Sequence, residues 1–193
     1  GGIYPFVPHM VNFEQDIRQD LRKELAIPAH AKVFGYYGGT ESFNIKFAQQ
    51  TIEKIARKYK DIYFLFMGVD PFIKPEWWKS KLKNIIFLPP SADINRKLKF
   101  INTCSALLHA REWGETFGIT VAEFVLQNKP VITFADSPEK AHLMELGNDA
   151  YLYRNKNELK EILLDTDLSK TAIRSYEKFL PQQVMEQFKK VFI

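Results

Sequence analysis

Cysteine is almost missing from this chain. Of 193 residues only Cys104 carries a thiol, so an internal disulfide cannot form and a cysteine-based metal site is excluded. A lone thiol suits a reducing compartment, and a cytoplasmic location is expected; Cys104 itself reads as a small buried apolar residue. Long hydrophobic runs are also missing: none approaches the ~18–20 residues that a membrane span requires. No basic-then-apolar leader is visible, so no secretory signal is expected. Charge of one sign is not concentrated anywhere. Lys and Arg number 27 against 23 Asp and Glu, interleaved along the chain, with a pI near 9.0. Nothing resembles a nucleic-acid arm, while a small anionic ligand is compatible with the mild excess. A Ser-His-Asp order, a P-loop and a G-x-G-x-x-G fingerprint are all wanting, which leaves hydrolase, kinase and dehydrogenase readings without their sites. His142 and Glu139 stand near a helix start, but no second cluster converges on them, and no metal is expected. Internal repeats and low-complexity segments are absent as well.

What is present is an ordinary globular composition, 46% hydrophobic and 26% charged, in a chain long enough for a sizeable core. Short apolar runs alternate with helical patterns. "AKVFGYYGG" reads as a strand over about 32–36, followed by a helix in "FNIKFAQQTIEKIARKYK" whose Phe47, Ile52 and Ile55 share a face. "DIYFLFMG", "NIIFLPP", "SALLHA", "KPVITF" and "DAYLY" read as further strands. Helices are expected in "SADINRKLKFINTC", with Ser91 or Asp93 as N-cap, in "GITVAEFVLQN", and in "SPEKAHLMELG", with Pro138 in the first turn and Gly147 past the end. Near-continuous apolar strands imply a sheet covered on both faces. The alternation predicts an α/β fold with a doubly wound, parallel, Rossmann-like sheet, where ligands bind outside the carboxyl ends of the strands. Residues 1–30 read as a lead-in, with an amphipathic helix in "FEQDIRQDLRKELAIP" ending before Pro28. Residues 31–170 form the Rossmann-like body, and 171–193 a C-terminal helix whose Val184, Phe188 and Phe192 want a partner surface.

The segment "EWGETFGITVAEF" concentrates the chemistry. Glu115 precedes a helix that begins near Gly118, and Glu123 falls in its second turn. Between the two acids, the amides of Thr116, Phe117 and Gly118 sit at a helix N-terminus, which binds phosphate through free donors and the helix dipole. Gly118 lets a ligand approach the backbone closely. Carboxylates accept hydrogen bonds from sugar hydroxyls. Eight residues of helix rise about 12 Å, the length of a nucleotide sugar from hexose to ribose. The plainer alternative is a loop acid followed by a solvated helix acid.

Here "GETFGITVAEFVLQNKPVI" resembles the E-x(7)-E segment of retaining GT-B glycosyltransferases of the group 1 type. Glu115, Phe117, Gly118, Glu123 and Pro130-Val131-Ile132 stand in that pattern's register. "LAIPAHAKVFGYYGG" is similar to the family's entry into its C-terminal domain, and the likeness covers about residues 20–160. The resemblance implies the donor-binding C-terminal half of a two-domain enzyme. It implies a nucleoside diphosphate sugar as donor substrate, no bound cofactor or metal, and transfer of a hexosyl group to an acceptor hydroxyl presented by a missing N-terminal domain. By the same resemblance, Glu115 is the catalytic residue and contacts the donor sugar, Glu123 holds the ribose hydroxyls, and Thr116, Phe117 and Gly118 meet the sugar or pyrophosphate. Further donor-binding candidates are Gly38, Gly39, His109, Arg111 and Lys46.

One departure stands out. Where the family usually has Gly-Arg after the first strand, this chain has Gly35-Tyr36, and a tyrosine makes no charged fork to phosphate. Arg111 is the candidate for supplying that charge from the other side, and Lys46 for a nearby family lysine. A degenerate, non-catalytic binding module is therefore the alternative, with a sugar-nucleotide epimerase third. Other features read two ways. His109 faces a ligand or is a satisfied core histidine. Trp77-Trp78 with Phe72 stack a base or pack a loop. Asp136-Ser137 faces the cleft or caps the next helix.

Overall fold

A computed structural model describes residues 7–11, 18–74, 82–165 and 167–193. Six strands form one sheet: β1 (Lys32–Tyr37), β2 (Ile62–Met67), β3 (Ile85–Leu88), β4 (Ala106–His109), β6 (Val131–Phe134) and β8 (Ala150–Tyr153). Their order is β3-β2-β1-β4-β6-β8, and every pairing is parallel. The remaining strands, β5 (Gly114–Glu115) and β7 (Glu139–Lys140), make a separate two-stranded parallel ribbon. β4 is buried at all four positions, and β1 at all but its first. The runs that form β1 and β4 are thus interior strands, while β3 and β8 stand at the edges of the sheet and are partly exposed, and the Rossmann-like α/β expectation holds.

The helices in chain order are α1 (Lys46–Lys58), α2 (Ile94–Thr103), α3 (Ile119–Leu126), α4 (Ala141–Leu146), α5 (Lys156–Asp165), α6 (Ile173–Tyr176) and α7 (Pro181–Phe192). α1 buries Ala48, Thr51, Ile52, Ile55 and Ala56, with Phe47 partly buried against the core. Asp93 is the N-cap of α2, accepting from the Asn95 N–H, while Ser91 Oγ accepts from Asp93 itself. Cys104 is buried and free, its thiol donates to the Phe100 carbonyl, and burial pushes its pKa up to about 12.

Three expectations are corrected. Of the expected N-terminal helix, residues 12–17 lie outside the described set, and the described part holds only a turn over 22–26. It ends because Ala26 takes a left-handed φ of 52° and the Ile27 N–H reaches back to the Arg22 carbonyl. The Arg22 guanidinium then donates to the carbonyls of Pro28, Ala31 and Thr103, which fixes the turn against the end of α2. Second, α4 begins at Ala141 rather than beside Pro138, because Glu139 and Lys140 extend to pair with β5. Third, residues 171–193 are not one helix. α6, a 3₁₀ turn (Glu177–Phe179) and α7 follow one another, since Pro181 has no N–H to continue a helix and instead sits in the first turn of a new one. Trp77-Trp78 lies outside the described residues. Phe72 packs on the rings of Phe43, Phe66 and Phe87.

Candidate functional site

The strand order reverses direction between β1 and β4, so the loops that leave their carboxyl ends diverge and open a crevice. A cavity of 330 Å³ lies there. Its lining combines Tyr36 at the end of β1, Gly38, Gly39 and Ser42 after it, Arg111 after β4, and Glu115 through Thr120 leading into α3, with His9 from the N-terminal segment. Seven of the site residues singled out from sequence therefore line this cavity: Gly38, Gly39, Arg111, Glu115, Thr116, Phe117 and Gly118.

The loop that presents Glu115 is held by backbone geometry. Gly114 has φ 75°, and a Cβ there would lie 2.0 Å from the Glu139 carbonyl; only glycine allows the β5–β7 ribbon to close. Gly118 has φ 84° and occupies the N-cap of α3 with no side chain capping the helix, so the first-turn donors face the cavity side without a side-chain partner. Thr120 Oγ1 donates instead to the Tyr37 carbonyl, tying α3 to the end of β1.

Glu115 is the carboxylate among the lining residues. Arg111 Nη1 donates to its Oε2 at 2.8 Å, and His109 Nε2 stands 3.2 Å from its Oε1. Burial works against the charge of Glu115, but the hydrogen bond from His109 and the charges of His109 and Arg111 outweigh it and hold its pKa below the ordinary carboxylate value. His109 is itself fully buried. Its Nδ1 lies 2.9 Å from Thr133 Oγ1, which lies 3.2 Å from His142 Nε2. Because an ionised Glu115 only accepts, His109 donates to it through Nε2. The Thr133 hydroxyl thus joins the two imidazoles, between His109 Nδ1 and His142 Nε2. His142 Nδ1 has no hydrogen-bond partner among the described residues. Burial, then the neighbouring His109, push the His142 pKa down to about 4.

Glu123, His109 and Lys46 do not line the cavity. Glu123 is 6% exposed, receives the Tyr37 hydroxyl, and has Lys97 Nζ at 3.5 Å. Burial pushes its pKa up to about 7. Of the two readings for His109, its geometry is that of a satisfied core histidine standing behind Glu115. Lys46, the first residue of α1, borders a different hollow with Thr40, Asp70 and Phe72. Asp136 and Ser137 do not reach the cavity either. Asp136 pairs with Arg154, and the buried Ser137 donates to the Arg111 carbonyl, which helps set the Arg111 loop.

Tyr36 is 2% exposed, and its ring packs beside Phe43 and His109. Burial raises its phenol pKa to about 12, so it meets the cavity as a neutral hydroxyl. Arg111, with its side chain 43% exposed, is the cation that lines this space. His9, Ser42, Ile119 and Thr120 escaped the sequence reading. Ile119 and Thr120 follow from the helix start; nothing local marks His9, which reaches the site because its ring packs on Phe117 and Val11 bonds to Phe179. Among the described residues no group of three or more His, Cys, Asp or Glu converges as a metal site would, and no helix is long and apolar enough to cross a membrane.

No protein-family model matches the chain, and no curated protein matches it. Solved structures do. HepE of Anabaena, in complex with UDP-glucose, is similar at 17% identity and a TM-score of 0.63, over 94% of this chain and 52% of HepE. WaaG, a glycosyltransferase involved in lipopolysaccharide biosynthesis, is similar at 16% identity and 0.62, over 95% of this chain and 54% of WaaG. The C-terminal domain of a group 1 glycosyl transferase family protein, LpcC of Francisella tularensis, is similar at 17% and 0.58, over 98% of this chain and 97% of that domain. The chain thus spans about half the length of HepE and WaaG and nearly all of the LpcC domain. At such identities the likeness establishes the fold, and the fold is the one implied by the Glu115–Glu123 motif: that of the C-terminal domain of a group 1, GT-B-type glycosyltransferase.

Proposed function

We propose that this chain is the donor-binding half of a retaining glycosyltransferase, taking a nucleoside diphosphate sugar and moving its hexosyl group to an acceptor hydroxyl held by a second, N-terminal domain. One observation carries the reading. A cavity at the carboxyl ends of β1 and β4 brings together an uncapped helix start, a glycine pair, one guanidinium and one polarised carboxylate. That HepE was crystallised with UDP-glucose, UDP and glucose makes a uridine nucleotide the first ligand to try.

In this reading the diphosphate lies against the amides of Thr116 to Gly118 and the Arg111 guanidinium, where a fixed dipole and a cation stabilise the leaving group as charge develops on it. Gly38 and Gly39 give it clearance. Glu115, held ionised by Arg111 and His109, accepts hydrogen bonds from the donor sugar. Glu123 receives the ribose hydroxyls after exchanging its contact with Tyr37. The work is done by the chain's own donors, without a metal. The lone buried thiol suits a cytoplasmic setting. A second reading, a degenerate module that binds without turnover, is favoured by Tyr36, which is neutral and buried where the family carries an arginine.

Calorimetric titration with UDP, GDP and ADP, and with their sugar conjugates, tests the proposal. One nucleotide should bind at a single site, and Arg111→Ala should weaken it about tenfold, the loss of one charge-assisted contact. Absence of binding to all three would sink the donor-site reading; binding of nucleotide with no transfer by the complete two-domain protein would favour the degenerate module.

A further inference from the structure

A second cavity, of 290 Å³, lies between α1 and α5 and shares no lining residue with the first. It is lined by Lys54, Lys58, Lys156 and Lys160, with Thr51, Asn157, Ile55 and Tyr59. The lysines come as two pairs, each at i,i+4 on its own helix, so each pair projects from one face, and the two faces meet across the groove. Like charges at that spacing repel, and here two such pairs converge. No carboxylate lines the groove. Of the acids beside these lysines in sequence, Glu53 pairs with Arg57, Glu158 accepts from the Arg154 N–H and the Asn155 amide at the start of α5, and Glu161 does not line the groove. None of the four ammonium groups has an ion-pair partner among the described residues. Lys58 Nζ stands 5.2 Å from the Tyr59 ring centroid, held over an aromatic face. Thr51 and Asn157 offer neutral hydrogen-bonding groups between the charges.

The geometry points to a second ligand site in this groove, for a small soluble anion bearing two or more phosphate groups. Four positive charges without counter-charge call for a ligand of similar opposite charge. The concavity is at the lower end of small-molecule pockets, which argues for a compact oligophosphate over an extended polymer. Ile55 and the ring of Tyr59 add an apolar wall, so an organic moiety attached to the phosphates has a surface to lie on. Occupancy would remove the repulsion within each lysine pair and bridge α1 to α5.

Sodium tripolyphosphate is the probe, titrated into the whole chain at low salt while the backbone amides of Tyr59 and Asn157 are followed by two-dimensional NMR. These amides report on the groove alone, so binding in the donor cavity is read separately. Both should shift saturably with one dissociation constant. Lys54→Glu with Lys58→Glu, and separately Lys156→Glu with Lys160→Glu, should weaken it at least tenfold; the side chains are exposed, and circular dichroism confirms that each variant is folded. Lys189→Glu with Lys190→Glu, on α7, should leave it unchanged. The proposal is overturned if the two amides do not saturate, if the α7 control weakens binding as much as the groove variants, or if they respond to anionic phospholipid vesicles but not to tripolyphosphate.

Discussion

The imidazole of His109 has no exposed surface, yet its Nε2 lies 3.2 Å from the carboxylate of Glu115, which faces the cavity. The acid at the ligand surface is therefore anchored through His109 and Thr133 to the interior of the sheet, and its charge is a property of the fold as much as of the site.

Stability should register that charge. The Glu115 pKa is depressed on folding, so the carboxylate adds stability that is present above its unfolded pKa, about 4.3, and is lost as pH falls through the lower folded value. Urea midpoints of the wild type and Glu115→Gln should differ at pH 6–7, with the wild type ahead. The gap should close progressively below about pH 4.3. A gap independent of pH would contradict the assignment.

Glu123 should behave in the opposite sense. Burial raises its pKa to about 7, so the folded state binds the proton more tightly than the unfolded chain, and stability falls as pH rises from about 4.3 to 7. Glu123→Gln should gain on the wild type over that window. Tyr37→Phe removes a donor to the carboxylate and should cost about 1–3 kcal/mol at pH 8, where the acid is ionised, and less at pH 5. Equal losses at both pH values would show that the phenol matters only for packing.

Gly118→Ala tests the helix start. At φ 84° an L-residue is strained by about 1–2 kcal/mol, and its Cβ would meet Glu115, His142 and Val121, each at 3.3 Å. A thermal melt should show the loss, and nucleotide affinity should fall with it, because the displaced loop carries both Glu115 and the first-turn amides. An unchanged melt would mean that the loop accommodates the methyl.

Gly35 and Cys104 should be coupled. A Cβ at Gly35 would come 2.2 Å from Cys104 Sγ. Gly35→Ala should destabilise by about 1–3 kcal/mol through overpacking. Adding Cys104→Ala should recover part of that, with Phe100 at 3.2 Å setting the remainder. Denaturation of the four members of the cycle gives the interaction energy directly; additive single effects would refute the contact.

How much of this was legible in the sequence depends on the length of the signal. β1, β2, β4 and β6 are apolar runs bounded by turn residues, and each stands where its run predicts. β5 and β7 have two residues each, too few for any period, so their ribbon was invisible, and the helix expected from Ser137 lost its first turn to it. The turn at Ala26 was hidden because a left-handed alanine has no composition cue. Within the site, Glu115, Phe117 and Gly118 were readable because they are close in sequence. Tyr37 and Glu123 are 86 positions apart, and nothing local foretells that a tyrosine would occupy that carboxylate. The two lysine pairs are visible in sequence one at a time, but only the packing of α1 on α5 brings them together.

The position of β1 in the middle of the sheet has a consequence for biosynthesis. It is the first of these strands to leave the ribosome, yet one of its edges is closed only by β4, where Phe34 pairs with Ala106. Until that partner emerges, β1 has β2 alone as a neighbour and leaves a row of unpaired amides and carbonyls open to other chains. Translation that stalls within α2 would release a species with one edge of its central strand bare, a template on which other chains can pair.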